Sequence, residues 1–212
     1  MSKILTIGAN GQIGRLFCEK AMDAELPIRA MVRSDEQRAR FEAQGVEAVV
    51  GDVEGDFFHA FDGCDQVVFT AGSGGSTGGD KTLLVDLYGA IRAIAESEAR
   101  GVKHFVMVSA LRAEQPLKAV PAMRHYMVAK LLADQRLIES NVAATVLRPG
   151  RLTDEVGSGR VRTSAAAGDG FDISRENVAS CIREALRQPS RSNRVVDLLD
   201  GDTLIRDVFA KS

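Results

Sequence analysis

This sequence predicts an α/β fold with a doubly wound, mostly parallel sheet, and three observations predict it. Short β-branched runs alternate with longer amphipathic stretches up to Gly150, the pattern of parallel strands joined by crossover helices. A glycine-punctuated turn, Gly8-Ala9-Asn10-Gly11-Gln12-Ile13-Gly14, follows the first of those runs. A second glycine-rich stretch, Gly72-Ser73-Gly74-Gly75-Ser76-Thr77-Gly78-Gly79, follows the fourth, at the carboxyl end of a strand, where open α/β sheets bind ligands.

Composition narrows the classes. With 212 residues, 45% of them hydrophobic and 26% charged, the chain can bury a full core and disorder is not expected. The formal net charge of -2 lacks the basic footprint of a nucleic-acid-binding surface. No window approaches the roughly 20 apolar residues that span a bilayer, and no secretory leader precedes Lys3. The expected location is therefore cytoplasmic, with no nucleic acid or membrane as partner. Cys18, Cys64 and Cys181 have neither disulfide nor zinc spacing, so packed, reduced thiols are expected. His59, His104 and His125 form no metal-ligand spacing and read as partly exposed histidines without a metal.

Strands are expected near Lys3–Ile7, Ile28–Val32, Glu47–Val50, Gln66–Thr70, His104–Val108 and Ala143–Leu147. Between the fourth and fifth, Leu83, Leu84, Leu87, Tyr88, Ile91 and Ile94 recur at helical spacing. They predict one α-helix over Thr82–Arg100, with Tyr88 in the core and Gly101 as its C-cap. A second helix is predicted over Ala122–Glu139. After Arg148-Pro149-Gly150 come two short extended pieces, a helix near Arg175–Arg187, a strand near Arg194–Leu199 and a last helix. Residues 151–212 are read as a small cap over the substrate plus the final strand and helix of one domain covering 1–212.

The glycine turn has a specific use. A strand, a tight turn and a helix starting near Gly11 aim unpaired N–H groups and the positive helix terminus at one point, which suits a pyrophosphate. Gly8 permits the turn, Gly11 lets phosphates approach the backbone, and Gly14 lets helix and strand pack closely.

The spacing G-x-x-G-x-x-G resembles the short-chain dehydrogenase/reductase superfamily, particularly its extended and atypical members. The resemblance covers nearly the whole chain. It includes Gly51-Asp52-Val53 after the third strand, Thr70-Ala71-Gly72 after the fourth, Val108-Ser109 after the fifth, Tyr126-x-x-x-Lys130, and Arg148-Pro149-Gly150. Among these proteins it is most similar to small bacterial NAD(P)-binding proteins of the NmrA-like and epimerase/dehydratase-like groups.

The resemblance implies a Rossmann fold. It places Gly8, Asn10, Gly11, Gln12, Ile13, Gly14 and Arg15 at the dinucleotide, Asp52 and Val53 near the adenine, and Ala71 and Gly72 beside the adenosine ribose. Ser109, Lys130 and Pro149 would lie toward the nicotinamide. Asp52 alone reads equally well as a turn residue. The residue ending the second strand selects the cofactor in such folds, and Met31-Val32-Arg33-Ser34 has no acid at the strand end. Asp35, two residues on, reads as a cap of the next helix. Arg33 can fork onto a 2′-phosphate and stack on adenine, so NADP(H) is expected, with NAD(H) as the alternative.

Tyr126 and Lys130 lie four residues apart, on one face of a helix. An ammonium beside a phenol favours phenolate and moves it toward use as a general acid or base. The family's third member, a hydroxyl that polarises the substrate, falls at Ser109, although extended relatives place it where this chain has Leu111. The expected function is NADP(H)-dependent reduction or oxidation of a small carbonyl or alcohol, with Tyr126, Lys130 and Ser109 as catalytic candidates. An NmrA-like sensor that binds NADP(H) without turnover is the alternative, and a flavin or quinone reductase is a third class. The resemblance also suggests that helices near 82–100 and 122–139 pair in a homodimer, although packing on the sheet explains their apolar faces equally well.

Overall fold

The computed structural model describes residues 3–75, 77–164, 170–188 and 193–210, so Ser76 of the glycine-rich loop lies outside the described residues. The first half alternates β1 (Lys3–Ile7), α1 (Gln12–Asp23), β2 (Ile28–Val32), α2 (Asp35–Ala43), β3 (Glu47–Val50) and β4 (Cys64–Phe69). There follow α3 (Gly79–Lys81), a π-helical segment Thr82–Gly89, α4 (Ala90–Ala99), β5 (His104–Val108), α5 (Arg124–Ile138) and β6 (Ala144–Pro149). The remainder comprises β7 (Arg151–Thr153), β8 (Arg160–Arg162), β9 (Asp172–Ser174), α6 (Arg175–Arg187), β10 (Arg194–Asp200), β11 (Thr203–Leu204) and α7 (Ile205–Phe209).

Among the described residues, nine strands form one sheet in the order β3-β2-β1-β4-β5-β6-β10-β8-β11. Every pairing from β3 to β10 is parallel; β8 alone runs antiparallel to its neighbours. Strand order reverses direction at β1 and β4, the switch point that opens a crevice at the carboxyl ends.

Period-2 alternation sends side chains to two cores. Ile4, Val68, Val106 and Val108 face α1 and α6, where Phe17, Cys18, Val178 and Ile182 lie. Leu5, Ile7, Val67, Phe69 and Phe105 face α4 and α5, against Ala90, Ile94, Ala133 and Leu137. This two-sided burial is why the strands are continuous apolar runs. The three cysteines are free and buried, and burial pushes the Cys18 thiol up to about 12.

Four expectations are corrected. The helix predicted over Thr82–Arg100 begins earlier, at Gly79, and its residues 82–89 wind as a π-helix. Wider turns break the 3.6-residue register: Thr82, Asp86 and Gly89 turn inward, while Leu83, Leu84 and Tyr88 are exposed. Tyr88 is therefore a surface residue, 54% exposed, with Arg92 over its ring. The extended pieces after Gly150 are three rather than two; β8 and β11 extend the main sheet, while β7 and β9 pair with each other. Finally, His104 is not partly exposed. It is fully buried in β5, with its Nε2 3.0 Å from Thr145 Oγ1.

Burial of His104 disfavours the imidazolium and lowers its pKa to about 4. An unfolded histidine titrates near 6.5, so between those values the unfolded chain binds more protons. Stability from this residue is present above about pH 6.5 and lost as pH falls toward 4, by about 3 kcal/mol in all. Urea midpoints taken from pH 7 to pH 4 are expected to fall steeply in wild type and less steeply in His104→Gln. Parallel curves for the two proteins would remove this account.

Candidate functional site

β1 leads into a turn that only glycine permits. Gly8 has φ +87°, and a Cβ on it would stand 2.5 Å from the Ala71 nitrogen. A Cβ on Gly14 would stand 2.3 Å from the Gly8 carbonyl oxygen, so α1 and the turn are packed backbone to backbone. Gly11 N donates to Gly8 O at 3.0 Å and precedes α1 with no side-chain cap and no acid in the first turn. The leading N–H groups of α1 are thus open to an anion. Nearby, Asn10 Oδ1 is buried without a partner.

Two cavities meet at this turn, sharing Gly11, Thr70, Ala71 and Gly72. One, of about 180 Å³, runs between the ends of β1, β2 and β3, past Arg33, Gln37, Asp52 and Val53. Arg33 is exposed; its backbone N donates to Gln37 Oε1 at 3.0 Å, and its guanidinium has no ion-pair partner among the described residues. Ser34, rather than Asp35, caps α2, its hydroxyl accepting from Gln37 N; Asp35 pairs with Arg38 instead. Asp52 spends one carboxylate oxygen on Glu54 N at 2.9 Å, a turn contact that leaves the other oxygen for a ligand. Val53 is buried, its carbonyl accepting from Arg92.

The second cavity, of about 670 Å³, opens beyond Gly72 and is walled by Gln12, Ile13, Ser109, Tyr126, Lys130 and Pro149, with Asp86, His125, Leu152 and Arg175. Tyr126 is half-buried. Lys130 is 4% exposed, its Nζ 5.5 Å from the Tyr126 ring centroid, 3.1 Å from Asp86 Oδ1 and 3.3 Å from Val108 O. Burial pulls the Lys130 ammonium down, but Tyr126 and Asp86 outweigh it and hold its pKa above the ordinary lysine value. Asp86 is itself 2% exposed, and its other oxygen accepts from Ser73 N at 2.9 Å. The π-helix therefore ties the glycine-rich loop to Lys130.

The sequence matches the family described as NAD(P)H-binding over residues 8–189. The chain belongs to that NAD(P)H-binding family. "Uncharacterized sugar epimerase YhfK" of Bacillus subtilis (strain 168) is 46% identical, with 99% of each chain covered. Among solved structures, a Bacillus halodurans protein described as an NAD-dependent epimerase/dehydratase superposes with TM-score 0.94 at 40% identity, over 99% of both chains. The oxidoreductase ylbE of Lactococcus lactis superposes with TM-score 0.84 at 28% identity, over 98% of this chain and 94% of that one. The atypical short-chain dehydrogenase/reductase resemblance agrees with this family membership.

Most residues expected at a nucleotide in such a family wall the two joined cavities, and the empty space beside the uncapped α1 fits a dinucleotide diphosphate. Gly14 and Arg15 are the exceptions, lining neither cavity: Gly14 is buried against the Gly8 and Ala9 backbone, and Arg15 is exposed, because one residue past Gly14 the helix has turned it outward. Leu111 lines a different cavity, beside Arg112 and Met127. Asp86 and Arg175 escaped sequence reasoning, whereas Ser73 lies in the glycine-rich stretch expected to meet a ligand. For Asp86 the one available signal was an acid inside the apolar run Leu83–Leu87; Arg175 gave none, since it reaches the cavity from the start of α6. Among the described residues no cluster of three or more His, Cys, Asp or Glu is placed to hold a metal. No helix of the described residues is long and apolar enough to cross a membrane.

Proposed function

We propose that this protein is an NADP(H)-dependent oxidoreductase that reduces or oxidises a small carbonyl or alcohol. The observation that carries this reading is the convergence of Tyr126, Lys130 and Ser109 on one cavity continuous with the glycine turn. The dinucleotide supplies or accepts the hydride at its nicotinamide ring when bound. The chain's own groups do the rest. The N–H groups at the start of α1 hold the diphosphate. Tyr126 gives the substrate oxygen a proton, or takes one, while the Lys130 ammonium stabilises the phenolate. Ser109, on the same cavity wall, is the candidate for orienting the substrate oxygen. A small substrate is expected because β8, β10 and β11 take up much of the chain after Gly150, leaving Leu152 of β7 and Arg175 at the start of α6 to the outer wall.

A screen of small aldehydes and ketones that follows NADPH absorbance tests the reading. Consumption of NADPH that depends on the carbonyl is expected. Tight NADPH binding with no turnover on any carbonyl would instead favour a redox sensor of the NmrA-like kind.

Arg33 carries the cofactor preference in this proposal. Its unpaired guanidinium at the adenosine-end cavity suits a 2′-phosphate, and a charge-assisted hydrogen bond contributes about 1.5–3 kcal/mol. Arg33→Ala is expected to weaken NADP binding by about tenfold to a hundredfold and to leave NAD binding nearly unchanged. Calorimetric titrations of both dinucleotides decide it, and equal losses for the two would assign Arg33 to the surface alone.

A further inference from the structure

One cation of the larger cavity has no part in the mechanism above. Arg175 is the first residue of α6 and lines that cavity together with Leu152 of β7. Its backbone is held on both sides. Ser174 before it is 1% exposed, pairs with Thr153 of β7 and caps α6 by accepting from Asn177 N at 3.1 Å. Glu176 after it accepts from Lys20 Nζ at 2.9 Å and from Gly157 N at 2.8 Å, so that carboxylate is spent elsewhere and does not neutralise Arg175.

The counter-ion that Arg175 does have stands in solvent. Its Nη1 donates to Asp154 Oδ1 at 2.7 Å, with the Arg175 side chain 18% exposed and that of Asp154 76% exposed. A guanidinium packed into a wall thus answers to a carboxylate on the rim, where water and salt screen the pair and leave it weak. The contact occupies one of five N–H donors. Within the cavity the charge of Arg175 has no opposite. Asp86 is the one carboxylate among the described lining residues, and its two oxygens are engaged by Lys130 Nζ and Ser73 N. The space between carries apolar surface from Ile13, Met123, Pro149 and Leu152.

We propose that Arg175 is the specificity-determining residue of this cavity and that the substrate is a small carbonyl compound or alcohol bearing a carboxylate. The proposal rests on the oxidoreductase reading, which puts the reacting oxygen at Tyr126; Arg175 holds the other end. Asp154 displays the match, since the guanidinium already takes one carboxylate oxygen. A ligand carboxylate in the cavity meets the same donors with less water between, accepts two parallel N–H bonds from the fork, and displaces the rim contact. A neutral compound of the same shape leaves Arg175 on Asp154 and gains nothing from it.

The test has two arms. In the first, benzoate and the isosteric neutral benzamide are titrated into the protein without cofactor, and the Arg175 Nε–H signal is followed by ¹⁵N NMR, assigned by its loss in Arg175→Lys. Benzoate is expected to shift that signal and to bind about tenfold to a hundredfold more weakly in Arg175→Ala, while benzamide binding is the same in both proteins. Asp154→Asn, a change at an exposed side chain, is expected to tighten benzoate binding by up to about fivefold, because it frees the guanidinium. An Arg175 signal unmoved by benzoate, equal losses for benzoate and benzamide in Arg175→Ala, or weaker benzoate binding in Asp154→Asn overturns the proposal. In the second arm, kcat/KM with NADPH is compared for straight-chain aldehydes with and without a terminal carboxylate. A preference for the carboxylates that disappears in Arg175→Ala is expected, and a preference that survives there overturns the proposal. Absence of turnover on every aldehyde, with the benzoate result intact, instead marks failure of the oxidoreductase reading and leaves the carboxylate site standing.

Discussion

Tyr126→Phe is expected to lower turnover of a carbonyl substrate by about 10²- to 10⁴-fold, the usual contribution of a placed general acid or base, while NADPH affinity stays at the wild-type value. Only one oxygen is removed. The ring remains half-buried against the Lys130 ammonium, whose Nζ lies 5.5 Å from its centroid, so cavity shape and charge are retained. The chain has two tyrosines, and Tyr88 is exposed on the π-helix, which makes Tyr88→Phe a matched control expected to keep full activity. Stopped-flow or steady-state assays with parallel calorimetry read both quantities. A Tyr126→Phe protein retaining most of its turnover would point to hydride transfer without a phenol, as in flavin or quinone reduction.

Asp86→Ala is expected to destabilise the fold by about 3–5 kcal/mol, because breaking a buried ion pair leaves an uncompensated charge. Both partners are almost completely enclosed, with side chains 5% and 1% exposed and 3.1 Å apart. Ser73 N also loses its acceptor. For a chain of this length the change corresponds to a melting temperature lower by about 10 °C. Asp86→Ala combined with Lys130→Met removes the stranded ammonium and is expected to recover much of that loss. Thermal and urea unfolding of the single and double variants measure it. A double variant less stable than Asp86→Ala would show that the pair is not the source of the effect.

The polar interior explains why some of the site stayed hidden. Tyr126 and Lys130 are neighbours on one helix face, so their pairing follows from spacing alone. Asp86 joins them only because residues 82–89 wind as a π-helix, and nothing in an apolar stripe of helical period announces that change of register. Asp134 of α5 meets Arg148 of β6, and no local pattern relates them. His104 reads as an ordinary strand-edge histidine until β4 and β6 flank β5 and close over it.

Local sequence determined what local physics controls. The alternation of β-branched runs and amphipathic stretches set the doubly wound sheet, since each period buries one face in one way. The spacing of Gly8, Gly11 and Gly14 set the nucleotide turn, since only glycine tolerates the φ of +87° at Gly8 and the lack of room at Gly8 and Gly14, where an added Cβ would stand 2.3–2.5 Å from backbone atoms. Tertiary structure alone decided which charges are buried together. The cost of desolvating Asp86, Lys130 and Asp134 depends on what the whole sheet and its helices bring within a few ångströms, and residues distant along the chain supply those partners.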